Sequence, residues 1–324
     1  MFERICADLG LGKLTASPVN LSGGFTHRMF RMETEKGTYA VKLLNPEIMA
    51  RTDALTNYSA AEKGEALLEA AELPILPALT IGGQKMQCIG GAYLYVFEYY
   101  DGRVLTDEEI TPAHCAKVGA ALAGIHAVKP LAYKQAADSV AVERHLWGDL
   151  AADLLASTDV QAEGQLLQAA VLTLTQVAAA AERAARSLPQ MSALCHNDMD
   201  PKNVLWRGTD FRIIDLECVG EANPQQEMLD LAITWSNGRE AQFKAFVEAY
   251  MAAGGIPITD AASVYDSRRN YIDWLAYNAR RALAEDAQER RIAREQIRWT
   301  IEKIRSDAER RNMILGWLQA LSAP

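Results

Sequence analysis

Between Cys195 and Asp215 the chain carries two acids and an amide at a fixed spacing. In Cys195-His196-Asn197-Asp198-Met199-Asp200-Pro201-Lys202-Asn203 the amide follows Asp198 by five positions, and Ile213-Ile214-Asp215 adds the second acid twelve positions beyond Asn203. These side chains suit phosphoryl transfer. One carboxylate accepts the proton of an acceptor hydroxyl. An amide oxygen and a second carboxylate hold magnesium against nucleotide phosphates, because Mg²⁺ prefers hard oxygen ligands. Capping a loop is the commoner task of a lone aspartate. Asp198 is nevertheless read as the general base, with Asn203 and Asp215 as metal ligands. All three stand at the required spacing, and Asp215 ends an apolar strand, where a carboxylate is costly without a task.

Other residues could serve the nucleotide. Lys42 lies on the apolar run Tyr39-Ala40-Val41-Lys42-Leu43-Leu44, from which an ammonium can reach the α- and β-phosphates. Such a lysine needs a carboxylate to orient it. Glu62 and Glu65, one turn apart on the helical segment that follows, both qualify. Ser22-Gly23-Gly24 sits between two strands, where glycines leave backbone N–H groups free for phosphate oxygens, although a hairpin turn uses the same residues. No Gly-Lys-[Ser/Thr] follows, so this is not a P-loop. The linker Val96-Phe97-Glu98-Tyr99-Tyr100 offers backbone groups, at Glu98 and Tyr100, to an adenine edge. His196 is read as fixing the loop, Asp200 either as a loop cap or as facing metal or substrate, and Lys202 as solvated. Trp274, Asn278 and Arg281 share a helical face and are read as packing residues, with an acceptor-pocket wall as the alternative.

The elements that must position these groups are legible from pattern. Residues 1–12 predict a short helix ending at Gly10 or Gly12. Val19–Met32 reads as strand, glycine turn, strand, and Tyr39–Leu44 as a third strand stopped by Pro46. Residues 52–72 are rich in Ala, Glu and Leu and predict a helix ended by Pro74 and Pro77. Apolar segments follow at Ala78–Ile81 and Ala92–Tyr99, and Asp101-Gly102 marks a turn. From Thr106 the pattern is mainly helical. Thr111-Pro112 starts a helix through about Val128, with Thr111 as N-cap and Pro112 at the first helical position. Ala-rich helices are expected over 139–187, a short hairpin at Val204–Trp206 and Phe211–Ile214, and helices over 224–252 and 260–320.

With these residues assembled, the chain resembles the aminoglycoside phosphotransferase and choline kinase group, small-molecule kinases with a protein-kinase-like fold. The resemblance runs from about Leu21 to Trp235. It is strongest in His196-Asn197-Asp198 through Asn203, whose base-to-amide step is that of kinase catalytic loops, and in Ile214-Asp215-Leu216-Glu217. It implies an α+β, bilobal protein-kinase-like fold, with a small antiparallel-sheet lobe over residues 1–100 and a mainly helical lobe over 101–324. It also implies Asp198 as base, Asn203 and Asp215 on Mg²⁺, Lys42 on the phosphates of ATP or GTP, and Glu62 as the ion-pair partner of Lys42. Asp230-Leu231-Ala232 resembles a family element that supports the active-site loop. Two features depart from the pattern. His27 stands where relatives often carry Asn. Asp215-Leu216-Glu217 replaces D-F-G, and no A-P-E segment is found, which removes a protein kinase with an activation loop.

Bulk properties narrow the partners. At 324 residues, 49% hydrophobic and 23% charged, the chain has room for two lobes and the composition of a soluble globular protein. Its net charge of −9 gives a nucleic-acid role little support. Residues 256–324 hold 12 Lys and Arg against 10 Asp and Glu, so the acidity lies in the first 255 residues, which suits a cationic acceptor. Five scattered cysteines without CxxC spacing argue against a disulfide framework or a zinc site. No basic-then-apolar leader is present. The apolar run Leu166–Ala181 is broken by Gln168, Thr173, Thr175 and Gln176 and reads as a soluble helix, so the expected location is cytoplasmic, without a membrane partner. The expected acceptor is a small-molecule hydroxyl, first an aminoglycoside-like amino alcohol. Choline, ethanolamine, a sugar or another metabolite is the alternative, and a nucleotide-binding pseudokinase or a non-catalytic scaffold the reading outside enzymes.

Overall fold

Alternating apolar residues in the first hundred positions build a five-stranded antiparallel sheet. The strands are β1 (Val19–Leu21), β2 (Arg28–Thr34), β3 (Gly37–Leu43), β4 (Gln87–Ile89) and β5 (Ala92–Glu98), in the order β1-β2-β3-β5-β4. The computed structural model describes residues 1–21, 27–129, 146–189 and 191–321. One sheet face carries Met32, Val41, Leu43, Leu94 and Val96 and is covered by Ile5 and Cys6 of helix α1 (Phe2–Asp8). The other face carries Lys42 and, directly across the ladder, Tyr95. A one-turn helix α2 (Pro46–Met49) follows β3. Helix α3 (Ala54–Ala70) then lies against this second face through Tyr58. The apolar segment Ala78–Ile81 forms no ladder of its own. Its Leu79 N–H donates to Val96 O at 2.7 Å, and the edge position goes to β4.

The helical part has two cores. Around the first stand α4 (Pro112–Ala127), α7 (Pro224–Ser236) and α8 (Glu240–Ala252), with Met199, Val204 and Trp235 inside. The second joins α5 (Leu146–Ala156), α6 (Gln161–Ser187), α10 (Asn270–Arg281) and α11 (Ala287–Leu321) through Trp147, Leu154, Leu174, Leu275 and Ile297. The six-residue α9 (Ala261–Asp266) lies between α8 and α10 in the chain. Thr111 caps α4 as expected, in a capping box with His114. Within the helical stretch expected over 224–252, Asn237 takes a left-handed conformation (φ 45°) before Gly238, ending α7 and letting α8 turn back. Helix α6 is long and apolar enough to cross a membrane, and here it packs along α5.

Four short strands complete the fold beside the site: β6 (Ala193–Cys195) pairs with β9 (Gly220–Ala222), and β7 (Val204–Arg207) with β8 (Asp210–Ile213). The β7–β8 hairpin joins the two lobes. On one side Ile213 N–H donates to Pro74 O and Leu76 N–H to Ile213 O, both at 2.8 Å. On the other, Arg103 and Trp206 exchange backbone hydrogen bonds of 2.9 and 2.8 Å.

Helices α4 and α8 approach so closely at Gly119 that a Cβ there meets the Phe246 carbonyl, whereas a Cβ at Gly316 on α11 meets nothing within 4 Å. Gly119→Ala is therefore expected to lose about 1–3 kcal/mol by overpacking. Gly316→Ala is expected to gain roughly 0.5–1 kcal/mol from helix propensity alone. Urea unfolding of the two variants against the parent chain checks both signs.

Candidate active site

The loop after β6 is fixed by its own side chains. His196 is fully buried. Its Nδ1 accepts the Asp198 N–H at 3.2 Å, so Nε2 carries the proton and donates to Ile214 O at 3.2 Å. Asn203, at the end of a 3-10 turn, gives its Nδ2 to Asp198 O at 2.7 Å and to Asp198 Oδ2 at 2.8 Å. That leaves its Oδ1 without a donor among the described residues and available as a ligand. Ile214 N–H donates to Asn203 O at 2.9 Å. Lys202, expected to be solvated, pairs instead with Asp198 Oδ1 at 2.8 Å and lies 3.6 Å from Asp200.

Asp215 follows Ile214 in a left-handed conformation, φ 63° and ψ 58°, which is strained for a residue with a Cβ and turns its carboxylate out of the strand. Lys42 Nζ reaches it across the lobes at 2.6 Å and reaches Glu217 Oε1 at 2.7 Å. Burial alone would raise the Asp215 carboxyl. Lys42, with smaller contributions from His196 and His27, outweighs it and holds Asp215 below the ordinary carboxylate value. Burial likewise disfavours the Lys42 ammonium, but Glu217 and Asp215 reverse the balance and raise it. The structure thus brings Lys42, Asp198, Asn203 and Asp215 into one site: a hydrogen-bonded carboxylate, a free amide oxygen, a second carboxylate and a buried ammonium.

Residues 19–271 match the phosphotransferase enzyme family. The chain belongs to that family. It is a phosphotransferase of the small-molecule kinase kind. Similar solved structures include a spectinomycin phosphotransferase in complex with ADP and spectinomycin (TM-score 0.73, 13% identity, covering 95% of this chain and 97% of that one). A choline/ethanolamine kinase family protein from Mesorhizobium loti is also similar (0.65, 18%, 98% and 97%). A third is an amicoumacin kinase holding AMP-PNP and Ca²⁺ (0.64, 12%, 92% and 92%). At these identities the likeness is one of fold. No curated protein matches the sequence.

Within this phosphotransferase two expected pairings are replaced. Glu62 does not pair with Lys42. Its Oε1 accepts the Tyr95 hydroxyl at 2.9 Å and the Met86 N–H at 3.1 Å. The reason is the register: Tyr95 stands opposite Lys42 and its phenol reaches Glu62. Glu65, the other candidate, takes Lys85 at 2.5 Å and the Ala78 N–H at 2.8 Å. The second replacement concerns the support of the loop. Asp230 accepts from Arg268 at 3.0 Å and from Asn270 at 2.6 Å. It is Glu227, one turn earlier on α7, that accepts the Asn197 N–H, at 2.5 Å. Asn197 itself is left-handed (φ 64°) and donates its Nδ2 to Cys218 O at 2.9 Å. Glu227 Oε2 meets His126 Nε2 at 2.7 Å, and His126 Nδ1 meets the Tyr250 hydroxyl at 2.8 Å, a buried line beneath the loop. The sequence signal for Glu227 was its place three residues after Pro224 at the start of α7, hidden by the more obvious Asp230-Leu231-Ala232.

Of the remaining expected site residues, Ser22, Gly23 and Gly24 lie outside the described residues. Glu98 ends β5 with its side chain exposed, and the Tyr100 carbonyl accepts the Gly102 N–H at 2.9 Å. Trp274 donates to Gln296 at 3.1 Å, Asn278 to Trp274 O at 2.9 Å, and Arg281 pairs with Glu289, which is the packing role. Beside Asp198 the surroundings are acidic. Burial raises the Asp200 carboxyl, opposed by Lys202 and aided by Asp198. Burial also pushes Asp230 up to about 6, with Arg268 opposing it and Asp307 and Asp200 adding to it. Arg268 is committed between Asp230 and Asp307, at 3.0 and 2.6 Å.

Burial disfavours the Glu227 carboxylate, but hydrogen bonds from His126 and the Asn197 N–H more than compensate and hold it below its ordinary value. A depressed carboxyl contributes stability above its unfolded value, about 4.3, and loses it as pH falls through the folded value. Glu227→Gln is expected to destabilise the chain by about 3–5 kcal/mol at pH 7, as for a broken buried pair. It is also expected to flatten the decline of stability below about pH 4. Thermal unfolding of both chains between pH 3 and pH 8 measures both effects.

Proposed function

We propose that the chain transfers the γ-phosphoryl group of ATP, or of GTP, to a hydroxyl of a cationic small molecule, first an amino alcohol of the aminoglycoside kind. The observation that carries the reading is the single loop in which Asn203 clasps the Asp198 carboxylate while keeping its own Oδ1 free, with Asp215 next to the residue that closes the loop. In this reading Asp198 accepts the hydrogen bond of the acceptor hydroxyl and takes its proton as the phosphoryl group arrives, while Lys42 meets the nucleotide phosphates. Positioning and charge neutralisation supply most of the rate.

Magnesium fits the donors present, which are hard oxygens: Asn203 Oδ1 and the Asp215 carboxylate would hold it. When bound it would neutralise phosphate charge. Nucleotide use is supported by the ADP and AMP-PNP bound to similar folds. The backbone at Glu98 and Tyr100 is proposed to meet the base, and residues 1–100 to form the nucleotide lobe. A cationic acceptor is favoured by the surplus of acid beside Asp198, where Asp200 and Asp230 face the committed Arg268 and the paired Lys202.

Asp198→Asn is expected to lower kcat by about 10²–10⁴-fold while binding of Mg·AMP-PNP changes little. ADP release over a panel of aminoglycosides, choline, ethanolamine, sugars and macrolides, paired with calorimetric nucleotide binding, makes the test. Unchanged turnover in Asp198→Asn would refute the mechanism. Preference for a neutral sugar would refute the acceptor class.

A further inference from the structure

His27, where relatives often carry Asn, and Glu217, which stands where D-F-G has its glycine, touch each other. His27 Nε2 lies 3.2 Å from Glu217 Oε2, and the Tyr58 hydroxyl lies 3.1 Å from the same nitrogen and 3.5 Å from the same oxygen. The imidazole is fixed from its far side, since Nδ1 accepts the Asn45 N–H at 3.0 Å, which leaves the proton on Nε2, facing Tyr58 and Glu217. The other carboxylate oxygen, Glu217 Oε1, is buried and has no hydrogen-bond donor in good alignment among the described residues. Its neighbour is Lys42 Nζ at 2.7 Å, an ionic contact off the ideal hydrogen-bond direction. Glu62 is meanwhile held towards β5 by Tyr95 and Met86.

On the kinase reading above, we infer that Glu217, held by His27 and Tyr58, is the positioning residue that orients Lys42 towards the nucleotide phosphates, and that Glu62 does not share this role. The orienting acid thus comes from the turn after Asp215 in the helical lobe, while its supports, His27 and Tyr58, come from the sheet lobe. Lys42 is aimed only when the two lobes are together. His27 and Tyr58 share no hydrogen bond or ion pair with Lys42 among the described residues, so a substitution at either acts on the nucleotide through Glu217.

The test is nucleotide affinity with and without metal, because a positioning acid acts on Lys42 whether or not magnesium is present. Glu217→Gln should weaken binding of ATP in EDTA by about tenfold, the loss typical of a charged hydrogen bond. Glu62→Gln should weaken it less than about threefold. The decisive arm is a double-mutant cycle with Lys42→Met: once the lysine is gone, Glu217→Gln should cost nothing further in ATP affinity. A purely structural Glu217 would keep its effect in the Lys42→Met background, and a Glu217 that is only a metal ligand would show its effect only with Mg²⁺. Either result overturns the assignment, as does a larger loss from Glu62→Gln. If thermal melts show Glu217→Gln to be unfolded, Glu217→Asp, which keeps the charge and shortens the reach, replaces it in the same cycle. A parent chain that binds neither ATP nor Mg·AMP-PNP defeats the kinase reading itself, whereas lost ranking with nucleotide still bound defeats only the role of Glu217.

Discussion

Ile214 is gripped by both of its backbone polar groups: its N–H by Asn203 O and its carbonyl by His196 Nε2. The relative placement of Asp198, Asn203 and Asp215 depends on this clasp. Asp198 lies between the two gripping residues and is itself bonded to both, through its N–H to His196 and through its carboxylate to Asn203. Asp215 is the next residue after the clasped peptide, so its left-handed turn begins from a fixed point. A buried peptide group left unpaired costs roughly 1–3 kcal/mol. His196 and Asn203 thus satisfy Ile214 with the same bonds that set the geometry of the acids.

The rest of the fold secures this clasp from two directions. From the sheet lobe, Pro74 and Leu76 pair with Ile213, one residue before Ile214, while Lys42 binds Asp215, one residue after it. From the helical lobe, Glu227 holds the Asn197 N–H, and His126 and Tyr250 hold Glu227 in turn. The strained left-handed residues Asn197 and Asp215 sit at the two ends of this arrangement. Strain persists where neighbours over-determine a conformation, and here each of the two is held by groups distant in sequence.

Much of this was readable from the chain. The step from Asp198 to Asn203 to Asp215 identified the loop because one short segment had to supply all three groups. Lys42 was visible because its apolar strand precedes a helical segment carrying the acids Glu62 and Glu65. The helix caps at Thr111 and the strand pattern of the sheet lobe are local, and local chemistry is legible. The pairings that failed are all long-range. Glu62 was matched to Lys42 through the family resemblance, but its partner depends on the register of β3 against β5, which brings Tyr95 opposite Lys42. Glu227 lost to Asp230 because a helix offers an acid on either of two neighbouring turns, and only packing against α4 decides which one faces His126. The break at Asn237 was missed because a left-handed cap can be made by an asparagine as well as by the glycine that follows it.

The central claim is that the clasped loop moves a phosphoryl group to a hydroxyl. Phosphorus NMR of the chain incubated with Mg·ATP and an amino-alcohol acceptor tests it most directly. The account predicts a new phosphomonoester resonance that grows one for one with ADP. ADP accompanied only by inorganic phosphate across every acceptor offered, or no loss of ATP at all, would contradict it.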